Sequence, residues 1–114
     1  MEDCLFCKIL SGKVYTKKIY EDDKVLAFGD INPQAPVHIL VIPKKHIVSL
    51  DDVGEDDIAL LGHIQVIISK LARKNKLFDG GYRVVNNCGV DGGQTVQHLH
   101  YHLLGGRVFG WPPG

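Results

Sequence analysis

The feature that most constrains the fold is an alternation of histidine with apolar residues near the end of the chain. Residues 97–104 read QHLHYHLL, with His98, His100 and His102 two positions apart. Strict alternation predicts a β-strand, because successive side chains leave a strand on opposite faces. The three imidazoles are therefore expected to share one face at a spacing of about 7 Å, while the other face packs into a core.

Three histidines on one strand face admit three interpretations. They can be core residues with satisfied hydrogen bonds, although burying three imidazoles costs desolvation and gains little packing. They can bind one zinc ion together, since His-x-His on a strand can chelate a metal. They can also perform acid–base or nucleophilic chemistry, because imidazole titrates near neutral pH. The third interpretation explains the pattern best and predicts a catalytic site.

Length and composition predict one globular domain spanning residues 1–114. The chain is 45% hydrophobic and 23% charged, which suits one modest core. Its 13 Lys and Arg balance 13 Asp and Glu, so neither nucleic acid nor a membrane is an expected partner. The start, Met1-Glu2-Asp3-Cys4, is acidic where a secretory signal is basic and apolar. Three cysteines form no disulfide framework, so a cytoplasmic location is expected.

A Cys-x-x-Cys pair lies at the start of the chain, at Cys4 and Cys7. Such a pair can be a redox couple, half of a zinc site or two small buried residues. Two thiolates that hold zinc need two further ligands, and the histidines of this chain can supply them. We therefore favour structural zinc, whereas Cys88 is expected to be an ordinary loop or strand-end cysteine.

Apolar patterns predict the main elements of an α+β fold. Short apolar runs on either side of an acidic turn predict a β-hairpin over residues 17–28, and Val37–Pro43 predicts a buried central strand. Tyr82–Asn86 is a further strand. One helix is indicated by apolar residues at steps of three and four, namely Ile58, Leu61, Ile64, Ile68 and Leu71.

The apolar face of this helix is wider than one sheet requires. Leu60 and Ile67 add to it. We therefore expect a second subunit to cover the part of the face that runs through Leu60, Ile64 and Ile67.

A glycine-rich loop, Asn87–Thr95, comes directly before the histidines. Glycine lets backbone N–H groups approach a ligand closely. A tight turn without a ligand explains the glycines equally well, but the position of the loop favours phosphate binding. On the central strand, His38 is ambiguous between a core and a functional histidine. The segment Lys44-Lys45-His46 is by itself an ordinary solvated turn.

The segment His98–Leu104 resembles the signature of the histidine triad superfamily, in which three histidines alternate with apolar residues. Asp30–Pro36, Val41–His46, Asp91–Gln94 and Trp111–Gly114 are similar to its Hint branch, the histidine triad nucleotide-binding proteins. The resemblance covers nearly the whole chain, from position 4 to the end. It implies an α+β domain with an antiparallel sheet of about five strands, one long helix and a two-fold dimer.

The resemblance also implies an activity, the hydrolysis of purine nucleoside phosphoramidates through a nucleotidyl-histidine. His100 matches the nucleophile, and His102 matches the residue that contacts the phosphate and assists the leaving amine. Thr95 stands where the branch commonly has serine, and its hydroxyl can bond the leaving nitrogen or a phosphate oxygen. His38 is assigned as a hydrogen-bond partner of the triad. Two rivals are a zinc hydrolase that uses all three triad histidines and a non-catalytic nucleotide-binding module.

Contacts to a purine nucleoside monophosphate carry over from the same resemblance. Asp30 matches the carboxylate that binds the ribose hydroxyls, a role that suits its two acceptor oxygens. Phe28 and Ile31 match apolar walls of the base pocket. The residues that match the loop around the phosphate are Asn87, Gly93 and Gln94.

Three positions concern specificity. Gly29 stands where the branch often has histidine, and Gly110 replaces a bulkier residue. Trp111 matches a residue that reaches the active site of the partner subunit, which would link specificity to dimer formation.

The zinc ligands are also implied by the resemblance. Zinc-bearing members combine the Cys-x-x-Cys pair with a histidine after the central strand and with the first triad histidine. In this chain the set is Cys4, Cys7, His46 and His98. Such a set is a closed structural site without a position for water, so no catalytic metal is expected.

Overall fold

Five antiparallel strands form one sheet, in which the most apolar strand lies beside the last triad histidine. The computed structural model describes residues 3–114, so Met1 and Glu2, part of the acidic start and of the predicted domain, lie outside the described residues. The strands are β1 (Lys18–Glu21), β2 (Val25–Gly29), β3 (Val37–Pro43), β4 (Tyr82–Val85) and β5 (Tyr101–Gly105). Their order is β1-β2-β3-β5-β4, and each neighbouring pair is antiparallel.

Two helices cover opposite faces of this sheet. They are α1 (Leu5–Leu10) and α2 (Ile58–Lys74), and two 3₁₀ turns at residues 50–52 and 55–57 lead into α2. The α+β class, the five-stranded antiparallel sheet and the long helix are therefore confirmed. None of the helices in the described part of the chain has both the length and the apolarity needed to cross a bilayer.

The two sides of the sheet have separate cores, which explains the continuous apolar run in β3. Ile39 and Val41 face α2, whereas the alternate residues Leu40 and Ile42 face α1. Since successive side chains of a strand point to opposite faces, a strand that is covered on both sides has to be apolar throughout. The smaller core on the α1 side consists of Phe6, Ile9, Leu26, Phe28, Leu40 and Ile42.

The prediction that a second subunit covers this face is wrong for Ile64 and Ile67, and it stays a prediction for Leu60. Ile64 and Ile67 are only 0% and 3% exposed in the single chain, and Leu60 is half-buried against the same core. The reason is that the helix is surrounded over a wider arc than a flat sheet provides, because Val53 and Leu77 also pack into this core.

Helix α1 is an element that the sequence pattern does not predict. It is only six residues long, and although Leu5, Phe6, Ile9 and Leu10 stand at helical spacing, fewer than two turns are too short for a period to be recognised. Its start depends on an unusual cap, in which the Cys4 sulfur accepts a hydrogen bond from the Cys7 N–H at 3.2 Å. The metal-binding motif and the helix start are therefore the same residues.

The strand predicted for the triad begins later than expected, at Tyr101. Backbone groups before it bond outside the sheet: the Leu99 N–H donates to the Ile47 carbonyl at 2.6 Å, and the His98 carbonyl accepts from the His100 ring at 2.7 Å. The alternation of faces nevertheless persists, because the core on the α2 side contains Leu99, Tyr101 and Leu103. The histidines consequently face the α1 side.

Candidate active site and metal centre

Two sulfur and two nitrogen atoms from distant parts of the chain meet where α1 contacts the sheet. Nδ1 of His98 lies 3.3 Å from Sγ of Cys4 and 3.7 Å from Sγ of Cys7. Nδ1 of His46 lies 3.3 Å from Sγ of Cys7 and 3.1 Å from Nδ1 of His98. All four atoms lie within 4.8 Å of one another, so the four residues that were predicted as zinc ligands are brought together.

These distances fit a tetrahedral zinc ion. Zn–N and Zn–S bonds of about 2.0 and 2.3 Å separate the ligand atoms by about 3.3–3.8 Å. The tautomer of His98 is also the one that a metal ligand needs. Its Nε2 lies 2.9 Å from the Pro43 carbonyl, and because a carbonyl can only accept, Nε2 carries the proton. The lone pair on Nδ1 therefore faces the sulfur atoms, as a metal ligand requires.

His100 is held by its own backbone neighbourhood. Its Nδ1 donates a hydrogen bond to the His98 carbonyl at 2.7 Å, so the lone pair of the neutral ring lies on Nε2. The ring is 5% exposed, and Nε2 makes no hydrogen bond to the described residues. A buried imidazole with one nitrogen anchored and the other free has the form of a nucleophile or a base.

A backbone amide determines the proton positions on the other two histidines of the site. The Gln34 N–H donates to Nδ1 of His38 at 3.0 Å, so the proton of neutral His38 lies on Nε2. That nitrogen is 2.9 Å from Nδ1 of His102 and 3.4 Å from Oδ2 of Asp30. His102 accepts through Nδ1 and therefore carries its own proton on Nε2, which makes it a hydrogen-bond donor.

Both of these rings are neutral at pH 7. Burial first, and then positive charge on His100 or His38, lower the pKa of His102 to about 4 against the opposing effect of the Asp30 carboxylate. Burial also lowers the pKa of His38, again against the effect of Asp30. Each ring thus offers one donor and one acceptor rather than a positive charge.

These hydrogen bonds argue against a metal ion shared by the triad. Nδ1 of His98 faces the cysteines, whereas Nδ1 of His100 donates to a carbonyl, and the three triad histidines do not form a ligand group among the described residues. Asp30, His38 and His102 do lie close enough together. However, His38 has its lone pair occupied by a backbone N–H and a proton on Nε2, so it has no lone pair left for a metal.

A cavity of about 360 Å³ opens beside His100 and His102. Several residues that were predicted to bind the nucleotide line it, namely Phe28, Asp30, Ile31, Thr95, His100 and His102. The base of the cavity is apolar and buried around Phe28, while Ile31 and Thr95 are exposed at its mouth. Volume and lining are those of a small-molecule site, with an apolar wall and a few convergent polar groups.

Of the glycine-rich loop, Thr95 lines this cavity, whereas Asn87, Gly93 and Gln94 do not. The Gln94 amide donates to the carbonyls of Val48 and Val96 at 2.7 and 3.1 Å and accepts from the Gly89 N–H at 2.9 Å. The Asn87 amide likewise donates to a carbonyl within the loop at 2.7 Å. These side chains hold the loop closed, and the Gly93 and Gln94 N–H groups also donate within it, to the Val90 and Gly89 carbonyls at 3.0 Å.

The N-terminal segment contributes cavity residues that sequence reasoning missed. They are Leu5, Phe6, Ile9, Val14, Tyr15 and Thr16. A weak signal for them is the spacing of Leu5, Phe6 and Ile9, which is typical of one helical turn. Tyr15 is 89% exposed at the rim.

The three specificity positions differ in their surroundings. Gly29 lines the cavity, and a Cβ added there would meet no heavy atom within 4 Å, so this position leaves free space next to Asp30. Gly110 also has open space, and its carbonyl accepts from Arg83 at 2.8 Å. Trp111 is 83% exposed and outside the lining of the cavity.

Comparison with known proteins identifies the family. The family model described as "Scavenger mRNA decapping enzyme C-term binding" matches residues 3–108. An uncharacterised HIT-like protein of Synechococcus elongatus is 51% identical over 113 residues, which cover 99% of this chain and 98% of the relative. The chain belongs to the histidine triad superfamily.

Two further histidine triad relatives concern the site. The crystal structure of a HIT family hydrolase from Legionella pneumophila is 52% identical and aligns with a TM-score of 0.96 over 98% of this chain and 100% of that chain. Our histidine triad protein thus has the fold of a hydrolase of this superfamily. A 14 kDa zinc-binding protein of Zea mays is 47% identical over 112 residues, covering 96% of this chain and 87% of the relative. This relative agrees with the zinc-like geometry at Cys4, Cys7, His46 and His98.

Proposed function

We propose that this protein hydrolyses purine nucleoside phosphoramidates, in which AMP or GMP is joined to an amine, through a nucleotidyl-histidine intermediate. The observation that carries the proposal is the state of His100, whose Nδ1 is anchored to a carbonyl while Nε2 keeps its lone pair. A nitrogen of this kind can attack phosphorus. The cavity that His100 lines is large enough for a nucleotide-sized ligand.

The reaction has two steps. In the first, Nε2 of His100 bonds to the α-phosphorus while the P–N bond to the amine breaks. His102 donates a hydrogen bond from its Nε2–H to a phosphoryl oxygen and stabilises the charge there, while the departing amine takes from solvent a proton that the attacking water returns to solvent in the second step. The Thr95 hydroxyl bonds the leaving nitrogen or a phosphate oxygen. In the second step, water attacks phosphorus and the bond to His100 breaks, which releases the nucleoside monophosphate.

The nucleotide is expected to bind before any chemistry occurs. Phe28 and Ile31 form walls for the purine, and Asp30 accepts hydrogen bonds from the ribose hydroxyls. Oδ1 of Asp30 already accepts from the Asn32 N–H at 2.8 Å, which orients the carboxylate toward the cavity side of its loop. From the glycine-rich loop, Thr95 lines the cavity and contacts the phosphate, because the Asn87 and Gln94 side chains and the Gly93 and Gln94 N–H groups already bond elsewhere in the chain.

Zinc is proposed to have a structural role at the Cys4, Cys7, His46 and His98 cluster. These four residues would complete a tetrahedral shell and leave no position for water. The ion would join α1 to the turn after β3 and to the start of the triad. Because thiolate ligands need reduced cysteines, and the cysteines of the described chain are free, we also propose a cytoplasmic location.

A homodimer is the third part of the proposal. The sheet ends at β4, whose outer backbone edge has no neighbouring strand in the single chain. Tyr82 and Val84 on this strand are 41% and 37% exposed. An apolar edge strand is a common place for pairing with another chain. Trp111, which is almost fully exposed, would then reach the partner's cavity.

The test of the nucleophile is the substitution His100→Ala. We expect it to reduce turnover of an AMP-phosphoramidate at least about a thousandfold, because an interaction made only in the transition state is lost. AMP binding and zinc content should be retained. Acid-quenched reactions of the unmodified protein should contain a labile nucleotidyl-protein that is absent from the variant.

The same assay separates the alternatives. The metal content of His100→Ala distinguishes a zinc ion shared by the triad histidines, because that ion would then be lost together with turnover. A non-catalytic binding module would bind AMP and GMP but turn over neither phosphoramidate. Since the matching family model refers to a decapping enzyme, a capped dinucleotide belongs among the substrates tested. An active His100→Ala protein would contradict the mechanism.

A further inference from the structure

The aromatic ring of Phe6 connects the metal centre with the proposed nucleophile. Phe6 lies on α1 between the two cysteines of the metal cluster and is 3% exposed. Its ring centre is 5.8 Å from that of His98 and 5.1 Å from that of His100, at angles of 73° and 86°. One ring therefore meets both a candidate zinc ligand and the candidate nucleophile edge to face.

The hydrogen bond of His100 does not by itself fix the orientation of its ring, and the Phe6 ring can restrain it further. The hydrogen bond from Nδ1 to the His98 carbonyl fixes one corner of the imidazole, but a ring held at one corner can still pivot about it. The His102 ring restrains one direction, at a centre distance of 5.1 Å and an angle of 63°. Phe6 restrains rotation of the His100 ring in another direction. The Phe6 ring in turn packs against the Phe28 ring, at a centre distance of 5.6 Å.

We propose that Phe6 is a positioning residue for His100, and that it transmits the arrangement of the Cys4/Cys7 metal cluster to the nucleophile. The inference rests on the proposed function, because it assigns the reacting nitrogen to His100. Edge-to-face packing gives the aromatic ring a preferred orientation that an aliphatic side chain does not have. A nucleophile displaced by about 1 Å can react about a hundredfold more slowly, so the orientation of this ring matters for turnover.

The decisive variant is Phe6→Leu in the full-length, zinc-loaded protein. It keeps an apolar side chain in the same core but removes the aromatic edge. We expect kcat for an AMP-phosphoramidate to fall about tenfold to a hundredfold, with one zinc per chain retained. Phe6→Tyr, which keeps the ring, should restore most of kcat. Leu10→Val alters α1 packing outside the cavity lining and should leave kcat within about twofold of the unmodified protein.

A measurement without substrate tests the same inference. In ¹⁵N spectra of the histidine rings, His100 of the unmodified protein should show one tautomer, protonated at Nδ1. In Phe6→Leu the signals should shift toward an average of both tautomers, because the ring pivots away from the His98 carbonyl. If Phe6→Leu loses zinc or unfolds, Phe6→Met provides the same comparison at a similar volume.

The two proposals fail in different ways. A folded, zinc-loaded Phe6→Leu protein with unchanged kcat and an unchanged His100 tautomer would overturn the positioning role. Equal losses of kcat in Phe6→Leu and Leu10→Val would also overturn it, since any disturbance of α1 would then suffice. If the unmodified protein turns over no phosphoramidate, the proposed function fails, and the ring spectra still decide the role of Phe6.

Discussion

Backbone groups decide the protonation of the histidines of this site, directly for His98, His100 and His38 and through His38 for His102. The Pro43 carbonyl, the His98 carbonyl and the Gln34 N–H each contact one histidine nitrogen. A carbonyl can only accept and an amide N–H can only donate, so each contact decides where the proton of that ring lies. One result is a metal ligand, another a candidate nucleophile and the third a donor at His102, although all are the same amino acid.

Acidification is expected to destabilise the protein through His102. Its pKa is about 4 in the folded chain and about 6.5 in the unfolded chain, so the unfolded chain binds the proton first as the pH falls. The stability gained from the neutral ring is complete above about pH 6.5 and is lost toward pH 4. By pH 5 the loss from this group is on the order of 2 kcal/mol.

Urea unfolding at pH 7.5 and pH 5 measures this effect. The free energy of unfolding should fall less on acidification in His102→Gln than in the unmodified protein. Zinc is kept in the buffer of both proteins, so that metal release affects them alike. An identical pH dependence in the two proteins would contradict the assignment.

At the scale of elements, α1 is too short to be stable alone. Helices below about 12 residues are marginal in water, and this one has six. Its order has to come from the contacts that it makes: the Cys4 cap, the packing of Phe6 and Ile9, and the metal cluster. Since α1 also forms one wall of the cavity, the metal and the binding site depend on the same element.

Cys7→Ser is expected to lose most of the zinc and to melt at a lower temperature. Metal binding contributes directly to the free energy of folding, and each kcal/mol lost lowers Tm by roughly 4 °C or more in a domain of this size. KM should rise because one wall of the cavity loosens. Metal analysis and thermal unfolding measure the first two effects, and steady-state kinetics the third.

The matched control is Cys88→Ser, which removes a thiol outside the cluster. It should retain one zinc per chain and an unchanged KM. Full zinc occupancy in Cys7→Ser would disprove the ligand assignment.

At the scale of the whole molecule, the two edges of the sheet differ in what they offer a second chain. The outer edge at β4 exposes Tyr82 and Val84. At the other edge, β1 carries Lys18 and Glu21, which pair with each other at 2.8 Å. Charged edge strands discourage pairing between chains, so β4 is the edge that we propose for the dimer.

Light scattering is expected to show a dimer at micromolar concentration. Val84→Arg should shift the protein toward the monomer, because a charge would enter the apolar contact. Ile19→Arg, at the opposite edge strand, should leave the dimer intact. Trp111→Ala should alter leaving-group selectivity in the dimer without lowering Tm, since the side chain is exposed in the single chain. A monomeric unmodified protein would contradict both the dimer and the role of Trp111 in the partner's site.

Sequence alone determined the elements that rest on long or strict patterns. Val37–Pro43 was predicted from its nearly continuous apolar run, and the helix that begins at Ile58 from apolar residues at steps of three and four. The alternation in the triad also predicted correctly that the histidines face one side and that Leu99, Tyr101 and Leu103 face the core on the other side, although the strand itself starts only at Tyr101. These features are local, because the backbone geometry of a strand or a helix dictates which neighbours share a face.

Only the tertiary structure decided which partners these residues meet. The residues around Cys4 left its partners open, and only the family resemblance named His46 and His98, which lie 42 and 94 positions away and approach it through the fold. The same holds for α1, whose stability comes from contacts rather than from its own six residues, and for Ile67, which the fold covers without a second subunit. The tautomers depend on both ranges: backbone groups two and four positions away decide those of His100 and His38, whereas the Pro43 carbonyl that decides the tautomer of His98 lies 55 positions away and reaches it only through the fold.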